Sequence, residues 1–373
     1  MPLTRRKAIA LIGGGSVLAA SAAGGAWLAT RTPHDARAPW GAAGGHGDAR
    51  LDALSFAILA PSAHNLQPWL AELHGRDSLL IWRDTARDLP ATDPYDRQLT
   101  ISMGAFLETF DLAAGKAGHG VETRLFPDVA TRPGLEPVAE LRLADGGRHD
   151  PLADHILARR TIREPYEEAL PPARALAALD RHAKLITEPA DVAALRDLTL
   201  RAWEIEAKTE AIWRENVDLM RFGRAEIEAR PDGIALGGPM LEAMMLVGIL
   251  SPETQADPGS QAFRATLDLY RRMLPATPAY ATITTRGNSR TDQIAAGRAW
   301  MRLSLAATGE GLALQPVSQC LQEFPEMEGP RAEAQAALAG SGETVQMLAR
   351  LGHGPDAPPA PRWPLESRLL GDG

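Results

Sequence analysis

Two short stretches of this 373-residue chain combine residue types that can do chemistry together. The first is Ala60-Pro61-Ser62-Ala63-His64-Asn65-Leu66-Gln67-Pro68-Trp69. Its prolines stiffen the backbone, and Ser62, Asn65 and Gln67 bring hydroxyl and amide groups. An amide carries both donor and acceptor atoms, so a rigid loop with two amides can match a heterocycle edge that alternates the two. The plainer reading is a turn in which Asn65 caps backbone groups. The second stretch is Arg159-Arg160-Thr161-Ile162-Arg163-Glu164-Pro165. In an extended segment alternate side chains share a face, which sets Arg159, Thr161 and Arg163 together and Arg160 and Ile162 opposite. Two guanidiniums and a hydroxyl on one side make a clamp for a phosphate dianion. The alternative is a solvated basic stretch at a helix C-terminus, where arginine also complements the dipole. Arg362, between Pro361 and Pro364, and the segment Gly311–Gln319 indicate little by themselves.

The rest of the composition narrows the options. The net charge is −8 with both signs interspersed, which argues against nucleic acid as a partner and confines any anion site to a local arginine cluster. Cys320 is the one cysteine, so neither an intrachain disulfide nor a cysteine-rich zinc site can form; it reads as a small buried apolar residue. Hydrophobic residues make up 45% of the chain, enough for a sizeable core.

The elements that must position these groups follow from periodicity and breakers. Leu51 to Leu59 has helical spacing and stops before Pro61. Trp69–Leu73 and Leu79–Trp82 flank Gly75-Arg76-Asp77 as a hairpin. Ile101–Gly118 reads as a helix, and Val121–Phe126 and Val138–Leu143 as strands, before a break at Gly146-Gly147. A helix ends near Ala158, and apolar spacing from Asp191 to Phe222 predicts one long helix. Tyr280–Thr285 and Val345–Leu351 are strands around a helix at Ala295–Ala307, and the proline-rich tail after Gly354 runs extended. Pro231–Asp257, with several glycines and methionines, is a candidate lid or a plain insertion. A shift of 193 residues lays Gly104 on Gly297, Leu112-Ala113-Ala114 on Leu305-Ala306-Ala307 and Gly118 on Gly311, an internal repeat.

The N-terminus carries an address. Thr4-Arg5-Arg6-Lys7 before the apolar run Ala8–Ala29 resembles a twin-arginine export signal, although Ala8 stands where an aromatic is usual. That implies passage through the twin-arginine export machinery and a periplasmic location; a Sec signal or a membrane anchor is the alternative. Residues 1–30 then form the signal and 31–49 a linker.

The loop at 60–69 closely resembles the PSxxNxQPW loop of the nitroreductase superfamily, and Arg159–Arg163 resembles its RRSxR segment with Thr161 for serine. The helix Ala295–Ala307, Gly311-Leu312, the late strand with Gly352-His353-Gly354, and Pro361–Glu366 are similar to its C-terminal part. Asp93-Pro94 with Arg97, Ser102 and Gly104 resembles the Acg-like branch, which includes exported proteins. The resemblance spans about residues 51–370. It implies an α+β nitroreductase-like fold with mixed or antiparallel central sheets flanked by helices. In that family the arginines precede the loop and two subunits share each site. Here the loop comes first and each motif occurs once. The resemblance thus implies two fused half-repeats that mimic the dimer, residues 50–147 and 148–373, with a single FMN site and no need of a physical homodimer. It implies that Arg159, Thr161, Arg163 and Arg362 hold the FMN phosphate. Pro61, Ser62, Asn65 and Gln67 would face the ring or ribityl chain, and Ser318 and Gln319 would pass its N5. His64 reads as structural, with a substrate-facing role as the alternative. The implied function is an FMN-dependent oxidoreductase passing electrons to a small-molecule acceptor, a nitroaromatic or a quinone, without a catalytic acid or base from the protein. The alternative is a protein that stores or sequesters flavin.

Overall fold

A computed structural model describes residues 30–371. The export-signal reading of the N-terminus lies outside the described residues, apart from Thr30. Helix α1 (Ala49–Ala57) starts at Asp48, whose carboxylate accepts the Arg50 N–H, and closes just before the loop at 60–69. Strands β1 (Trp69–His74) and β2 (Ser78–Asp84) pair antiparallel across a turn in which Gly75 takes φ +54°, a conformation open to glycine. Helix α2 (Arg97–Lys116), buried along most of its length, leads into β3 (His119–Leu125) and β4 (Leu135–Asp145). The four strands form one antiparallel sheet in the order β1-β2-β4-β3.

The second half repeats this plan around insertions. Helix α3 (Ala173–Leu179) and β5 (Lys184–Ile186) come first. An inserted block follows: α4 (Pro189–Lys208), α5 (Glu210–Asp218), β6 (Met220–Phe222), α6 (Gly223–Ala229), β7 (Ile234–Leu236), α7 (Pro239–Leu246), α8 (Pro252–Ala256) and α9 (Gln261–Met273). Then come β8 (Ala279–Thr285), α10 (Arg290–Gly309), β9 (Ala313–Pro316), α11 (Glu328–Leu338) and β10 (Thr344–Gly352). These strands make a second antiparallel sheet in the order β5-β8-β10-β9. Matching β1, β2, α2, β3 and β4 with β5, β8, α10, β9 and β10 superposes the two orders strand for strand. Each sheet also carries a register shift on the same central pair, β2–β4 at Ile81/Trp82 and β8–β10 at Val345/Met347. β6 and β7 form a separate parallel pair inside the insertion.

The two halves meet where α2 crosses α10. A methyl group added to Gly104 would overlap the Ile294 carbonyl, and one added to Gly297 would overlap the Ile101 carbonyl. Residues 101 and 294, like 104 and 297, are related by the 193-residue shift, so the contact is reciprocal about a pseudo-two-fold axis. One continuous core joins the halves, from Leu54, Phe106 and Leu141 to Met301, Leu305 and Leu351.

Three expectations about elements need correction. The stretch Asp191–Phe222 is two helices and a strand, because Thr209 turns extended (φ −82°, ψ 109°) while its hydroxyl bonds the Ile205 carbonyl. The helix expected to end near Ala158 is only a 3-10 turn, Pro151–His155. The stretch expected as a linker packs down as a 3-10 turn, Asp35–Trp40, that buries Ala36, Pro39 and Trp40. The tail is extended as expected: Trp40 donates to the Ala360 carbonyl, and Leu369 bridges to Ala71 on the edge of β1.

Candidate cofactor-binding cleft

The loop at 60–69 is fixed from three directions. Ser102 on α2 accepts the Ala63 N–H at 2.9 Å, and the Ser62 hydroxyl accepts the Gln67 N–H at 3.0 Å. His64, Asn65 and Gln67 all adopt positive φ (44°, 57° and 52°), a strained choice for side chains of this size. The strain is held by the tail. Asn65 donates to the Pro361 carbonyl and accepts from Arg362, while Gln67 donates to the Asn65 and Pro231 carbonyls and accepts the Trp363 N–H at 2.9 Å. Gln67 is completely buried. The Gln67 amide is therefore used up inside the protein, and the expectation that it faces a bound ring is corrected; Asn65 fastens the loop to the tail but keeps part of its surface open. Pro61 and Ser62 keep partly open surfaces on the same loop.

Arg362 needs a similar correction. Its guanidinium donates to the carbonyls of Leu59, Ala60 and Pro361 and to Asn65, leaving only Nε without a protein partner. Its main contribution is to close the end of α1 against the tail. The charge nevertheless stays in the cleft.

Arg159 is the exception to this thrift. It is 4% exposed, and its single hydrogen bond, to the Thr161 hydroxyl, is stretched to 3.5 Å. Burial, with Arg160 and Arg163 adding to it, lowers its pKa to about 10, so it remains cationic at neutral pH. Arg163 makes neither a hydrogen bond nor an ion pair among the described residues and lies within electrostatic reach of Arg159 and His64. Arg160 turns away as alternation requires, donates to the Leu157 and Arg159 carbonyls, and lies 4.7 Å over the Trp40 ring. Arg362 flanks the same indole at 5.4 Å. Arg37, from the turn that carries Trp40, repels Arg160, and its own Nε is buried without a partner. Arg37, Arg159, Arg160, Arg163 and Arg362 thus neighbour one another in a chain of like charges, from the buried Arg159 and Arg362 to the exposed Arg163, with no carboxylate paired to any of them among the described residues. A buried charge left like this is expensive. What the arrangement can do chemically is hold a multiply charged anion.

The remaining expected residues, Ser318 and Gln319, lie in the 3-10 turn Ser318–Leu321, which follows β9. The Ser318 hydroxyl has only long contacts, to the Leu348 backbone at 3.4 Å and to the Met347 sulfur at 3.9 Å, and the Gln319 side chain makes no hydrogen bond among the described residues. His64 lies deep between the loop and the insertion, yet keeps part of its surface open. Burial chiefly, and Arg163 in addition, lowers its pKa to about 4 against the opposing pull of Glu215, so it is neutral at pH 7. The structure sets Thr161 beside Arg159, Arg159 within electrostatic reach of Arg362, and Arg163 within reach of His64 in the loop that carries Pro61 and Ser62, whereas Ser318 and Gln319 form no hydrogen bond to any of them among the described residues. Arg37 and Trp40 were missed by the sequence reading. The signal was a tryptophan inside a Gly/Ala/Pro-rich stretch, where a true linker has no use for one.

Several known proteins resemble the chain. No family model matches the chain. Its sequence is 28% identical over 350 residues to the Mycobacterium tuberculosis protein called "Putative NAD(P)H nitroreductase Rv3131", covering 84% of this chain and 91% of that one. A second M. tuberculosis protein, "Putative NAD(P)H nitroreductase acg", is 35% identical over 125 residues, 32% of this chain and 37% of its own length. Among solved structures, a nitroreductase-titled protein from Anabaena variabilis aligns with a TM-score of 0.46 at 12% identity, over 82% of this chain and 87% of that one. The FMN-dependent nitroreductase NfnB from Mycobacterium smegmatis aligns with 0.33 at 14% identity, over 54% and 87%. Over most of its length the chain is thus similar to a protein that carries a nitroreductase name.

Proposed function

We propose that this protein is an FMN-dependent oxidoreductase of nitroreductase type, in the Acg-like branch, that reduces a small acceptor such as a nitroaromatic or a quinone. The observation that carries the reading is the arginine cluster without carboxylates. A phosphate dianion fits it in charge and in donor chemistry. Arg159, Thr161 and Arg163 would take the phosphate, with Arg37, Arg160 and Arg362 adding field from behind. Pro61, Ser62, Ser318 and Gln319 would border the ring, while Asn65 and Gln67 hold the loop in place. Bound FMN supplies a ring nitrogen that accepts a hydride and passes it on; the protein supplies position and electrostatics. The two half-repeats, joined near Gly147, make one such cleft within a single chain, so a second copy is not needed to complete it. The paired arginines at Arg5-Arg6 support export by the twin-arginine route and work in the periplasm.

The test is the visible spectrum of the protein purified from a riboflavin-replete host. A flavin spectrum, with reduced protein rapidly reoxidised by a quinone or nitroaromatic, supports the proposal. Colourless protein that does not take up added FMN overturns it. Bound flavin that reoxidises very slowly with every acceptor points instead to flavin sequestration.

A further inference from the structure

Away from the cleft, helix α7 (Pro239–Leu246) is turned inside out. Its one charged residue, Glu242, is 6% exposed, while Met240 is 65%, Leu246 70% and the adjoining Val247 40% exposed. Seven large hydrophobic residues are exposed among those described, and three of them lie between 240 and 247, so this is a patch and not a scatter. Met240, Ala243, Leu246 and Val247 recur at steps of three and four and share one face. Where α7 meets α6, that face borders a groove of about 410 Å³ lined by Phe222, Ala225, Met245, Leu246 and Arg31. Leu246 belongs to both, so groove and face are one continuous apolar surface.

The start of the described chain is fastened to the walls of this groove. Arg224 on α6 donates to the Thr30 carbonyl at 2.9 Å, and Arg31 pairs with Glu242 at 2.9 Å. Glu242 also accepts the Arg224 N–H at 2.8 Å. An acid is buried on α7 because it holds the incoming chain there. The residues just ahead of Thr30 are Ala23-Gly24-Gly25-Ala26-Trp27-Leu28-Ala29. Leu28 and Trp27 stand two and three residues before Thr30, within ~10 Å of it even in a fully extended chain. Residues 23–29 together can reach ~23 Å, about twice the ~12 Å length of a helix the size of α7. A tether this short gives an effective concentration of about millimolar, which a free partner seldom matches. An export cut behind Ala20-Ser21-Ala22, the kind of small-residue site such signals use, leaves residues 23–29 on the protein.

We propose that residues 23–29 of this chain dock on that surface, with Trp27 and Leu28 as the anchoring side chains. The groove takes one of them beside Phe222 and Met245, and the other covers Met240 and Leu246. Arg31 and Glu242 already balance each other at the entrance, so docking buries apolar surface without stranding a charge. The contact clasps the inserted block to the start of the fold. It involves no cofactor and stands whether or not flavin binds.

Methionine oxidation by hydrogen peroxide, followed peptide by peptide in a mass spectrometer, reports the cover, because exposed sulfur is converted to sulfoxide first. The full-length gene product, its N-terminus read by intact mass, is compared with a chain lacking residues 23–29 and with the double variant Trp27→Glu, Leu28→Glu. Met240 and Met245 should oxidise about tenfold more slowly in the native protein than in either variant, the factor expected when roughly 90% of molecules are docked. Met301, fully buried on α10, should oxidise equally slowly in all three, which separates uncovering from unfolding. Equal rates at Met240 and Met245 in the native protein and the variants overturn the proposal, and so does a mature N-terminus that begins beyond Leu28. Protection that appears only at high protein concentration assigns the surface to a second copy. Protection that appears only with phosphatidylcholine–phosphatidylglycerol vesicles assigns it to a lipid surface. Either result also overturns the proposal.

Discussion

Arg83 and Arg159 are both buried guanidiniums, and the protein treats them in opposite ways. Arg83, in the first sheet, is 1% exposed and is ringed by Asp88, Asp96 and Glu136. Burial would lower its pKa, but Glu136, Asp96 and Asp88 together outweigh that and raise it. Arg159 has the same burial, no carboxylate, and other arginines as neighbours, and its pKa falls. Arg83 is a completed interaction that fixes β2 to β4 and to the start of α2. Arg159 has no such completed interaction, and under the proposed function its other half is the ligand's phosphate. The contrast separates structural charge from functional charge, which a count of arginines cannot do.

Removing the functional side should show the largest effect on ligand. The double variant Arg159→Ala with Arg163→Ala is expected to weaken FMN binding by ~2–5 kcal/mol, a factor of roughly thirty to several thousand, on the scale of stripping the partners from a buried anion. Fluorescence titration of apoprotein reads this directly. Thermal stability without flavin should hold or rise, because like-charge repulsion is relieved. A double variant that retains tight FMN would erase the distinction between the two arginines.

The structural side predicts the mirror result. Arg83→Ala leaves three carboxylates together and is expected to cost about 2–4 kcal/mol of folding stability, somewhat below a fully buried pair because the acids remain partly solvated. Denaturant unfolding measures it. FMN affinity of the folded fraction should stay within about twofold, since additivity holds for well-separated sites. A large loss of flavin in this variant would mean that Arg83 also serves the cleft.

Next in size comes the joint between the halves. Gly104→Ala and Gly297→Ala each push a methyl into the opposite helix backbone and should cost about 1–3 kcal/mol, the usual range for overpacking. Because the two glycines touch across one pseudo-axis, the double variant should cost less than the sum of the singles. Strict additivity in unfolding experiments would argue against a shared contact.

What the sequence disclosed followed the range of the forces involved. Alternation in Arg159–Arg163 is a local property, so the turn of Arg160 away from Arg159 toward Trp40 was legible, while the burial of Arg159 beside an exposed Arg163 was not. The Gly104/Gly297 match was legible because duplication leaves the same small residue at both sides of the crossing. The roles of Asn65 and Gln67 were not legible, since their partners Pro361 and Trp363 lie almost three hundred residues away and no local pattern reports them. The break at Thr209 was hidden for the opposite reason: apolar spacing runs on through Ile205 and Ile212, so periodicity alone sees one helix.

The smallest expected effect tests whether the cleft works by contact or by summed field. Arg37 is partly exposed and belongs to the N-terminal turn, yet it opposes Arg160 with no acid to balance it. If field alone counts, Arg37→Ala should weaken FMN binding by roughly three- to tenfold, about 1 kcal/mol, and the loss should shrink as salt screens a charge acting over several ångströms. Arg37→Lys, which keeps the charge, should restore most of the affinity. If Lys fails to rescue and the loss is indifferent to salt, Arg37 touches the ligand through its planar guanidinium. It would then stand with Arg159 and Arg163 in the clamp.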